Sequence, residues 1–277
     1  MDRKATAQET LIIQKQGYYN FNGKKIDFLA LQKLSEENSF LITPDEGKGI
    51  IEGLKIPENG SHPKYSVLDQ STVKAVLDMC KNGKKATLLN FASAKNPGGG
   101  FLNGAMAQEE ALAASSGLYS TLLLHETFYN VNRNCGTMMY TDHAIYSPDV
   151  VFFRDSNFEL LPTPVTASVL TLPAVNMGQV ILRGENTEKA KMAMKNRMRL
   201  CLAIFAHQKN SDIILGAYGC GVFRNDPKEI ALYWKSLLED EGYGYFFNSV
   251  MFAILSKGED NTFSILADTF RPLADAG

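Results

Sequence analysis

The sequence has few of the side chains that usually build metal centres and disulfide frameworks. Its 277 residues include four cysteines and four histidines. The cysteines have no paired metal-ligand spacing, and so few in a chain of this length do not make a disulfide framework. The histidines are scattered, without the i, i+4 spacing or the cysteine neighbours of a metal site. We therefore expect no metal or other cofactor, and a reduced, cytoplasmic protein.

Long apolar runs and an excess of one charge are also missing. No run approaches the roughly 18–20 apolar residues that a membrane helix needs, and the amphipathic start around Leu11–Ile13 lacks the continuous apolar core of a signal peptide. With 28 basic and 30 acidic residues, the formal net charge is −2. This balance argues against broad binding to nucleic acid. We expect no membrane contact, no direct sequence-specific nucleic-acid contact, and phosphate held locally by backbone groups.

The most informative stretch is Asn96-Pro97-Gly98-Gly99-Gly100. After a gap of seven residues it is followed by Gln108-Glu109-Glu110. The short apolar run 86–91 before it predicts a buried strand. The Ala-, Leu- and Glu-rich stretch 105–124 predicts a helix with acidic residues in its first turns. The glycines therefore lie in a loop at a strand end, where open α/β sheets place their ligands.

Glycines in that loop permit positive φ and close backbone approach to a ligand. We expect Gly98, Gly99 and Gly100 to offer a row of free N–H groups suited to phosphate or ribose oxygens. A lone triple glycine would indicate an ordinary flexible turn. Its coupling to the acidic pair favours a functional site.

A second glycine-rich loop, 216–223, connects a predicted strand at 212–215 to a helix that begins near Pro227. Its N–H groups and the following helix N-terminus suit a diphosphate. The two loops could clamp one ligand. The alternative is a tight crossover whose glycines only allow close packing, and the residues alone leave both interpretations open. Nothing nearby marks Cys220 as an activated thiolate, so we interpret it as a small filler.

These motifs resemble the signature of the poly(ADP-ribose) glycohydrolases, in which three glycines precede Gln-Glu-Glu. The strings 89–102 and 108–110, followed by Leu118-Tyr119, are similar to the bacterial-type branch of that family, as are 146–155 and 215–223. The resemblance covers most of the chain. It implies a macro-domain fold that cleaves the ribose–ribose O-glycosidic bond between ADP-ribose units. One departure is Ala113-Ala114, where many relatives have an arginine, but it leaves the acidic pair intact.

The resemblance also implies roles for individual residues. Glu110 is the expected catalytic acid/base, and Glu109 is expected to position ribose hydroxyls. Adjacent helical residues point about 100° apart, so the two carboxylates cannot serve one spot equally. The second loop is the expected diphosphate-binding loop, with Phe223 packing on a ribose. The expected substrate-binding residues are Gln108, Asn96, Gly98, Gly99, Gly100, Gly219, Cys220, Gly221, Val222 and Phe223.

The residues alone leave alternatives for this acidic cluster. A Glu-Glu pair at a helix start is often a solvated capping cluster. Gln108 can orient a carboxylate or act as an N-terminal cap partner. Away from the motifs, four cations of the predicted long helix 187–207 are expected to form a solvated face, and Trp234 is expected to pack in the core. The four cations are Lys191, Lys195, Arg197 and Arg199.

Period and turn signals give the organisation of the chain. A first helix ends near Gln16-Gly17, and an Asn-Gly turn within 18–28 predicts a hairpin. We expect residues 1–60 to form an accessory segment packed on a catalytic domain at 61–277. The further predicted elements are a helix near 71–81, strands at 150–153 and 168–174, a helix at 227–238 and a strand at 245–255.

Strands that alternate with helices predict an α/β fold with a mixed or mostly parallel sheet and helices on both faces. Together with the resemblance, this gives a three-layer α/β/α macro-domain-like fold with a mixed central sheet and an N-terminal helical and hairpin extension.

The expected function is hydrolysis of poly(ADP-ribose) from the chain terminus, with poly(ADP-ribose), ADP-ribose and ADP-ribosylated proteins as partners. One alternative is a binding module that reads ADP-ribose without cleaving it. Another is a hydrolase of singly ADP-ribosylated targets. Release of product from polymer separates these interpretations.

Overall fold

The computed structural model describes residues 2–58, 60–256 and 260–274. The α-helices are α1 (Arg3–Gln16), α2 (Leu29–Glu37), α3 (Pro44–Gly53), α4 (Thr72–Lys81), α5 (Gln108–Ser115), α6 (Leu118–Leu123), α7 (Glu126–Arg133), α8 (Met177–Leu182), α9 (Thr187–His207), α10 (Pro227–Lys235) and α11 (Thr262–Ala274). The strands are β1 (Tyr18–Phe21), β2 (Lys24–Asp27), β3 (Phe40–Ile42), β4 (Lys64–Leu68), β5 (Ala86–Phe91), β6 (Ala144–Arg154), β7 (Leu160–Leu172), β8 (Asp212–Leu215) and β9 (Ser249–Ala253).

The chain divides into two compact units, each built from separate stretches of sequence. The first unit comprises Met1–Ile42, Thr72–Arg133 and Ala144–Leu172, and the second comprises Thr43–Ser71, Asn134–His143 and Pro173–Gly277. This division crosses the predicted boundary at residue 60. It does not test whether residues 1–60 act as an accessory segment, so that boundary stays a prediction.

The sheet of the first unit runs in the order β3-β6-β7-β5. β5 pairs in parallel with β7, whereas β6 is antiparallel to both β3 and β7. Five of the six residues of β5 are buried, because this strand packs under α4 and α5. The apolar run that predicted β5 therefore has both faces covered, and the strand delivers its C-terminal end to the triple-glycine loop.

The N-terminal helix and hairpin are confirmed. Asp2 caps α1 by accepting from the Lys4 and Ala5 N–H groups, and Gly17 ends the helix with φ +70°. Asn22 (φ +47°) and Gly23 (φ +76°) form the turn between β1 and β2; such a turn needs positive φ at both central positions. A buried apolar cluster ties these elements to β6; its members are Ile13, Tyr19, Phe28, Val151 and Phe153.

In the second unit, β8, β9 and β4 are all parallel, and α11 packs on β4. Arg197 of α9 is buried, with its guanidinium donating to Asp142 Oδ1 at 2.9 Å and to the Met139 carbonyl at 2.6 Å. The predicted solvated face is therefore wrong for this cation, because carbonyl and carboxylate acceptors satisfy it inside the unit. Trp234 is buried as predicted.

The predicted helix at 105–124 begins only at Gln108 and breaks between α5 and α6. Ser116 is extended and bridges to Phe152, and the Gly117 N–H donates to the Val151 carbonyl at 2.8 Å. A Cβ at Gly117 would lie 1.7 Å from Gln32 Oε1. Contacts with distant parts of the chain therefore end the helix, which its composition alone would have continued.

Other predicted bounds differ by smaller amounts. β5, α9 and β8 have the predicted ends, and α4 begins at Thr72. The predicted strand at 150–153 is part of the longer β6, whereas the predicted strand at 168–174 runs two residues past the end of β7 at Leu172. The predicted helix at 227–238 is α-helical only to Lys235, and a π-helical turn follows. The predicted strand at 245–255 begins at Ser249, because residues 243–246 form a 3₁₀ turn. None of the described helices has the length and apolar character to cross a membrane.

Candidate active site

Gln108 fixes the start of α5 against the end of β5. Its carboxamide oxygen accepts from the Phe91 N–H at 2.8 Å, and its Nε2 donates to the Leu89 carbonyl at 2.8 Å and to Thr72 Oγ1 at 3.3 Å. Hydrogen bonds with the β5 backbone thus engage both the oxygen and the nitrogen of the carboxamide. Of the two roles left open by the sequence, this geometry favours orientation of the helix start and of the acidic pair that follows.

Glu110 is half-buried and is held by two backbone donors. Its Oε1 accepts from the Gly100 N–H at 3.0 Å, and its Oε2 accepts from the Ala107 N–H at 3.0 Å. Each carboxyl oxygen therefore has one fixed donor, and partial exposure leaves the group accessible from a cleft. The Ala107 contact caps the start of α5. The carboxyl is therefore a helix cap that the backbone positions, and it is not freely solvated.

Glu109 is 3% exposed and turns toward β5. Its Oε1 accepts from Asn90 Nδ2 at 3.3 Å, and its Oε2 accepts from the Ser93 N–H at 2.7 Å. Burial raises the pKa of Glu109 to about 8; the Ser93 and Asn90 donors oppose this rise, and the charge of Glu110 adds to it. At pH 7 the Glu109 carboxyl is therefore mostly neutral, so it can donate a hydrogen bond as well as accept one.

The triple glycine accommodates the acidic pair. Gly99 has φ +61°, and a Cβ on it would lie 2.4 Å from Glu110 Oε1 and 3.1 Å from Glu109 Oε2. The N–H of Gly98 donates to Glu109, that of Gly99 to the Asn96 carbonyl, and that of Gly100 to Glu110. The expected row of free N–H groups is therefore wrong for this loop. Its donors are already used, and two of the three hold carboxylates.

Asn96 closes the same loop through its backbone. Its N–H donates to Ser93 Oγ at 3.1 Å, and its carbonyl accepts from the Gly99 N–H at 3.0 Å. The side chain of Asn96 is exposed and has no partner among the described residues. Its carboxamide is thus available to a ligand.

Sequence reasoning missed two buried polar residues beside Glu109. Asn90 is fully buried, and its Oδ1 has no partner, although its Nδ2 donates to Glu109 and to Thr171 Oγ1. The Tyr129 hydroxyl is also buried without a partner, and burial and the nearby Glu109 both raise its pKa. An asparagine inside an apolar strand was the available signal for the first. Nothing in the local pattern marked Tyr129.

The second loop, within its own unit, has the free donors that the first one lacks. The N–H groups of four residues donate to no other described residue; these residues are Gly219, Gly221, Val222 and Phe223. Val222 is 84% exposed, and a Cβ on Gly221 would meet nothing within 4 Å. Successive unpaired N–H groups form a concavity suited to anions.

Asn225 holds this second loop in shape. Its Nδ2 donates to the Val175 carbonyl at 2.8 Å and to the Gly219 carbonyl at 3.0 Å. Gly219 has φ +76°, and a Cβ on it would lie 2.5 Å from Asn225 Nδ2. The Phe223 ring lies 6.0 Å from that of Tyr140, a residue with φ +59°. The loop is therefore rigid at its base and open at its tip.

Cys220 lies in the same loop but not as a reactive group. Its N–H donates to the Ala217 carbonyl at 3.1 Å. Burial raises the pKa of its thiol to about 12, so the thiolate is scarce at neutral pH. All four cysteines are free thiols. In the described part of the chain, no three His, Cys, Asp or Glu side chains are grouped as metal ligands.

Comparisons with known proteins give a family and similar solved structures. The family described as microbial-type PARG, catalytic domain, matches residues 7–155. The structure of poly(ADP-ribose) glycohydrolase (PARG) from Thermomonospora curvata is 34% identical with a TM-score of 0.93, and the match covers 97% of this chain and 99% of that chain. A search of curated proteins gives no match.

Ligand complexes are among the similar structures. PARG from Deinococcus radiodurans in complex with ADP-ribose is 37% identical with a TM-score of 0.81, and the match covers 92% of this chain and 100% of that chain. The Thermomonospora curvata enzyme bound to the inhibitor ADP-HPD is 34% identical with a TM-score of 0.90, over 97% and 99% of the two chains. These likenesses confirm the predicted mixed α/β fold and the resemblance from which it was drawn. The chain therefore belongs to the microbial-type poly(ADP-ribose) glycohydrolase family.

Proposed function

We propose that this protein hydrolyses the ribose–ribose O-glycosidic bond of poly(ADP-ribose) and releases ADP-ribose. The observation that carries the proposal is the acidic pair Glu109-Glu110, held at the start of α5 by β5 and the triple-glycine loop. Membership of the family supports it, as do the relatives solved with ADP-ribose and with ADP-HPD.

Glu110 is the proposed acid and base. Its carboxyl gives a proton to the bridging oxygen as the bond from that oxygen to the anomeric carbon breaks, and positive charge develops on that carbon. The carboxylate that remains keeps the Gly100 and Ala107 N–H donors. It then takes a proton from the water that attacks the anomeric carbon, which restores the acid. The net change is hydrolysis, with the leaving oxygen protonated.

Glu109 is the proposed anchor for ribose hydroxyls. A neutral carboxyl can donate to one hydroxyl and accept from another, and burial raises the pKa of Glu109 enough to keep it mostly neutral at pH 7. The unpartnered Asn90 Oδ1 and Tyr129 hydroxyl give the same region further capacity for hydrogen bonds. Ribose hydroxyls are donors and acceptors at once, which is the chemistry that this cluster offers.

The second loop is the proposed diphosphate site. Free N–H groups at Gly219, Gly221, Val222 and Phe223 suit phosphate oxygens, and the Phe223 ring is proposed to pack on a ribose. We further propose that release proceeds from the chain terminus, that ADP-ribosylated proteins carry the polymer, and that the protein is cytoplasmic. Its four free thiols support a reducing location.

The test is incubation with labelled poly(ADP-ribose) in the presence of EDTA, with products resolved by chromatography. The wild type should release free ADP-ribose, and Glu110→Gln should release none while calorimetry still detects ADP-ribose binding. Glu126→Gln changes an exposed carboxylate at the start of α7 and should behave as the wild type. Binding without release by the wild type would contradict the proposal and favour a reader. Release from singly modified targets alone would move the substrate to mono-ADP-ribose.

A further inference from the structure

The helix that carries the acidic pair is short and needs support at both ends. α5 has eight residues, and a helix shorter than about 12 residues is marginal without tertiary contacts. Gln108 holds its N-terminal end against β5. The last four carbonyls of a helix have no donors within the helix. Whatever binds them at the other end of α5 therefore bears on the position of Glu110.

Two side chains of α1 donate to carbonyls at that end. Thr10 Oγ1 donates to the Ala114 carbonyl at 2.7 Å, and Gln14 Nε2 donates to the Ser116 carbonyl at 2.6 Å. Both side chains are buried. Residues four apart lie on the same face of a helix. α1 thus turns two neighbouring polar side chains inward, and both of them bind the C-terminal end of α5.

Further hydrogen bonds fix α1 itself. The Gln14 carboxamide oxygen accepts from Ser120 Oγ of α6 at 3.0 Å, so both ends of this carboxamide are engaged. Glu9 accepts from Arg154 Nη2 at the end of β6 at 2.5 Å, and the Arg154 side chain is 5% exposed. α1 is therefore held against α6 and β6. A helix held in this way can act as a fixed support for α5.

α1 also packs on the loop that carries a donor to Glu110. A buried cluster joins α1, α5 and the turn after the triple glycine; its members are Ala7, Phe101, Ala113 and Ala114. Phe101 directly follows Gly100, whose N–H donates to Glu110 Oε1 at 3.0 Å. Gly100 lies on the loop and Glu110 on α5, and α1 contacts both of these segments. Contacts of α1 therefore fix the two partners of this hydrogen bond relative to each other.

We propose that Thr10 and Gln14 are positioning residues for the hydrolysis, which hold the C-terminal end of α5 and thereby keep the Glu110 carboxyl against the Gly100 N–H. The inference depends on the proposed function and deepens it, because it names residues that act on the proposed acid without touching the substrate. Without these donors, two carbonyls at the end of α5 are buried and unpaired, which favours a shifted helix. A displacement of about 1 Å costs about 10²-fold in rate.

The test compares two substrates that share the released unit and differ in their need for an acid. In the ADP-ribose dimer the leaving group is a ribose hydroxyl, whose oxygen is protonated as the bond breaks. In ADP-ribose with 4-nitrophenol on the same anomeric carbon, the leaving group is a stable phenolate that departs without a proton. The ratio of kcat/KM on the dimer to kcat/KM on the nitrophenyl substrate therefore measures how well Glu110 delivers its proton.

Thr10→Val keeps the shape of the side chain and removes its donor. It should lower kcat on the dimer about tenfold and the ratio by a similar factor, since a positioned general acid is worth about 10²–10⁴-fold. The Kd for ADP-ribose should stay within about twofold of wild type, because neither residue touches the ligand. Thr10→Ser keeps the hydroxyl and should restore most of the ratio. Gln14→Met removes the second donor and should lower the ratio in the same direction, and it carries the test if Thr10→Val does not fold.

Ile13→Val is the matched control on the same helix. Ile13 is buried in the cluster with Tyr19 and Phe28, and not in the cluster that joins α1 to α5. The change removes one buried methylene and should lower the midpoint of urea unfolding. It should leave the ratio unchanged. Urea unfolding of every variant shows how much stability each change removes.

The outcomes separate the two proposals. A wild-type ratio in the folded Thr10 and Gln14 variants, with both substrates cleaved, would overturn the positioning role and leave the proposed function standing. An equal fall of the ratio in Ile13→Val would also overturn it, because lost stability alone would then explain the effect. A wild type that cleaves neither substrate would contradict the proposed function itself.

Discussion

Replacement of Gly99 by alanine tests how the triple glycine positions the acidic pair. The added Cβ would lie 2.4 Å from Glu110 Oε1, too close for any unmoved side chain, and the backbone would keep φ at +61°. A left-handed conformation costs an L-residue about 1–2 kcal/mol. Displacing the Glu110 carboxyl weakens the hydrogen bonds from Gly100 and Ala107, at about 1 kcal/mol each or more.

We therefore expect Gly99→Ala to lower the free energy of unfolding by about 3–4 kcal/mol in urea titrations, the sum of these costs. A carboxyl displaced by about 1 Å from its working position costs about 10²-fold in turnover, so kcat on poly(ADP-ribose) should fall by about that factor.

Gly23→Ala is the matched control. Gly23 also has positive φ, +76°, but a Cβ there meets nothing within 4 Å. It should show the backbone cost of about 1–2 kcal/mol and leave kcat unchanged. If the kcat of Gly99→Ala stayed within about twofold of the wild-type value, the loss would be smaller than that expected for one hydrogen bond. This result would refute the proposed dependence of Glu110 on Gly99.

Four further substitutions have defined outcomes. Burial raises the folded-state pKa of Glu109 from 4.5 to about 8, so the contribution of this group to stability is present below pH 4.5 and is lost as pH rises through 8. Glu109→Gln should therefore flatten the fall in unfolding free energy between these two pH values. An unchanged pH dependence would contradict the raised pKa. Asn90→Ala removes hydrogen bonds to Glu109 and Thr171 and should cost about 1–3 kcal/mol in urea unfolding, with weaker ADP-ribose binding by calorimetry; wild-type values for both would count against the cluster. Asn225→Ala should loosen the second loop and raise the Kd for ADP-ribose about tenfold, which corresponds to about 1.4 kcal/mol. Gly221→Ala adds a Cβ in open space. It should leave the unfolding free energy unchanged and raise only the Kd for ADP-ribose.

Local sequence patterns predicted the main elements around the candidate site. The apolar run of β5 and the Asn22-Gly23 turn specify their structures through burial and backbone conformation alone. The triple glycine and the acidic pair do pack together, although the glycines serve a different purpose from the one expected. The glycines leave room for two carboxylates, and this depends on how α5 returns to the loop, which spacing does not reveal.

Other features depend on distant partners and could not be predicted locally. The break between α5 and α6 needs Phe152 and Gln32, and the burial of Arg197 needs Asp142. Each partner lies more than 30 residues from the group that it affects. Tyr129 became a site candidate only when α7 placed its hydroxyl near Glu109.

The most direct test of the account is the division of labour within the acidic pair, measured by single-turnover hydrolysis and by calorimetric binding of ADP-ribose to Glu110→Gln and Glu109→Gln. The account predicts that Glu110→Gln loses the chemical step and keeps its affinity, because the backbone holds Glu110 at the cleft. Glu109→Gln should lose affinity as well as rate, because the buried Glu109 carboxyl is the proposed anchor for ribose. Turnover by Glu110→Gln at the wild-type rate would contradict the account.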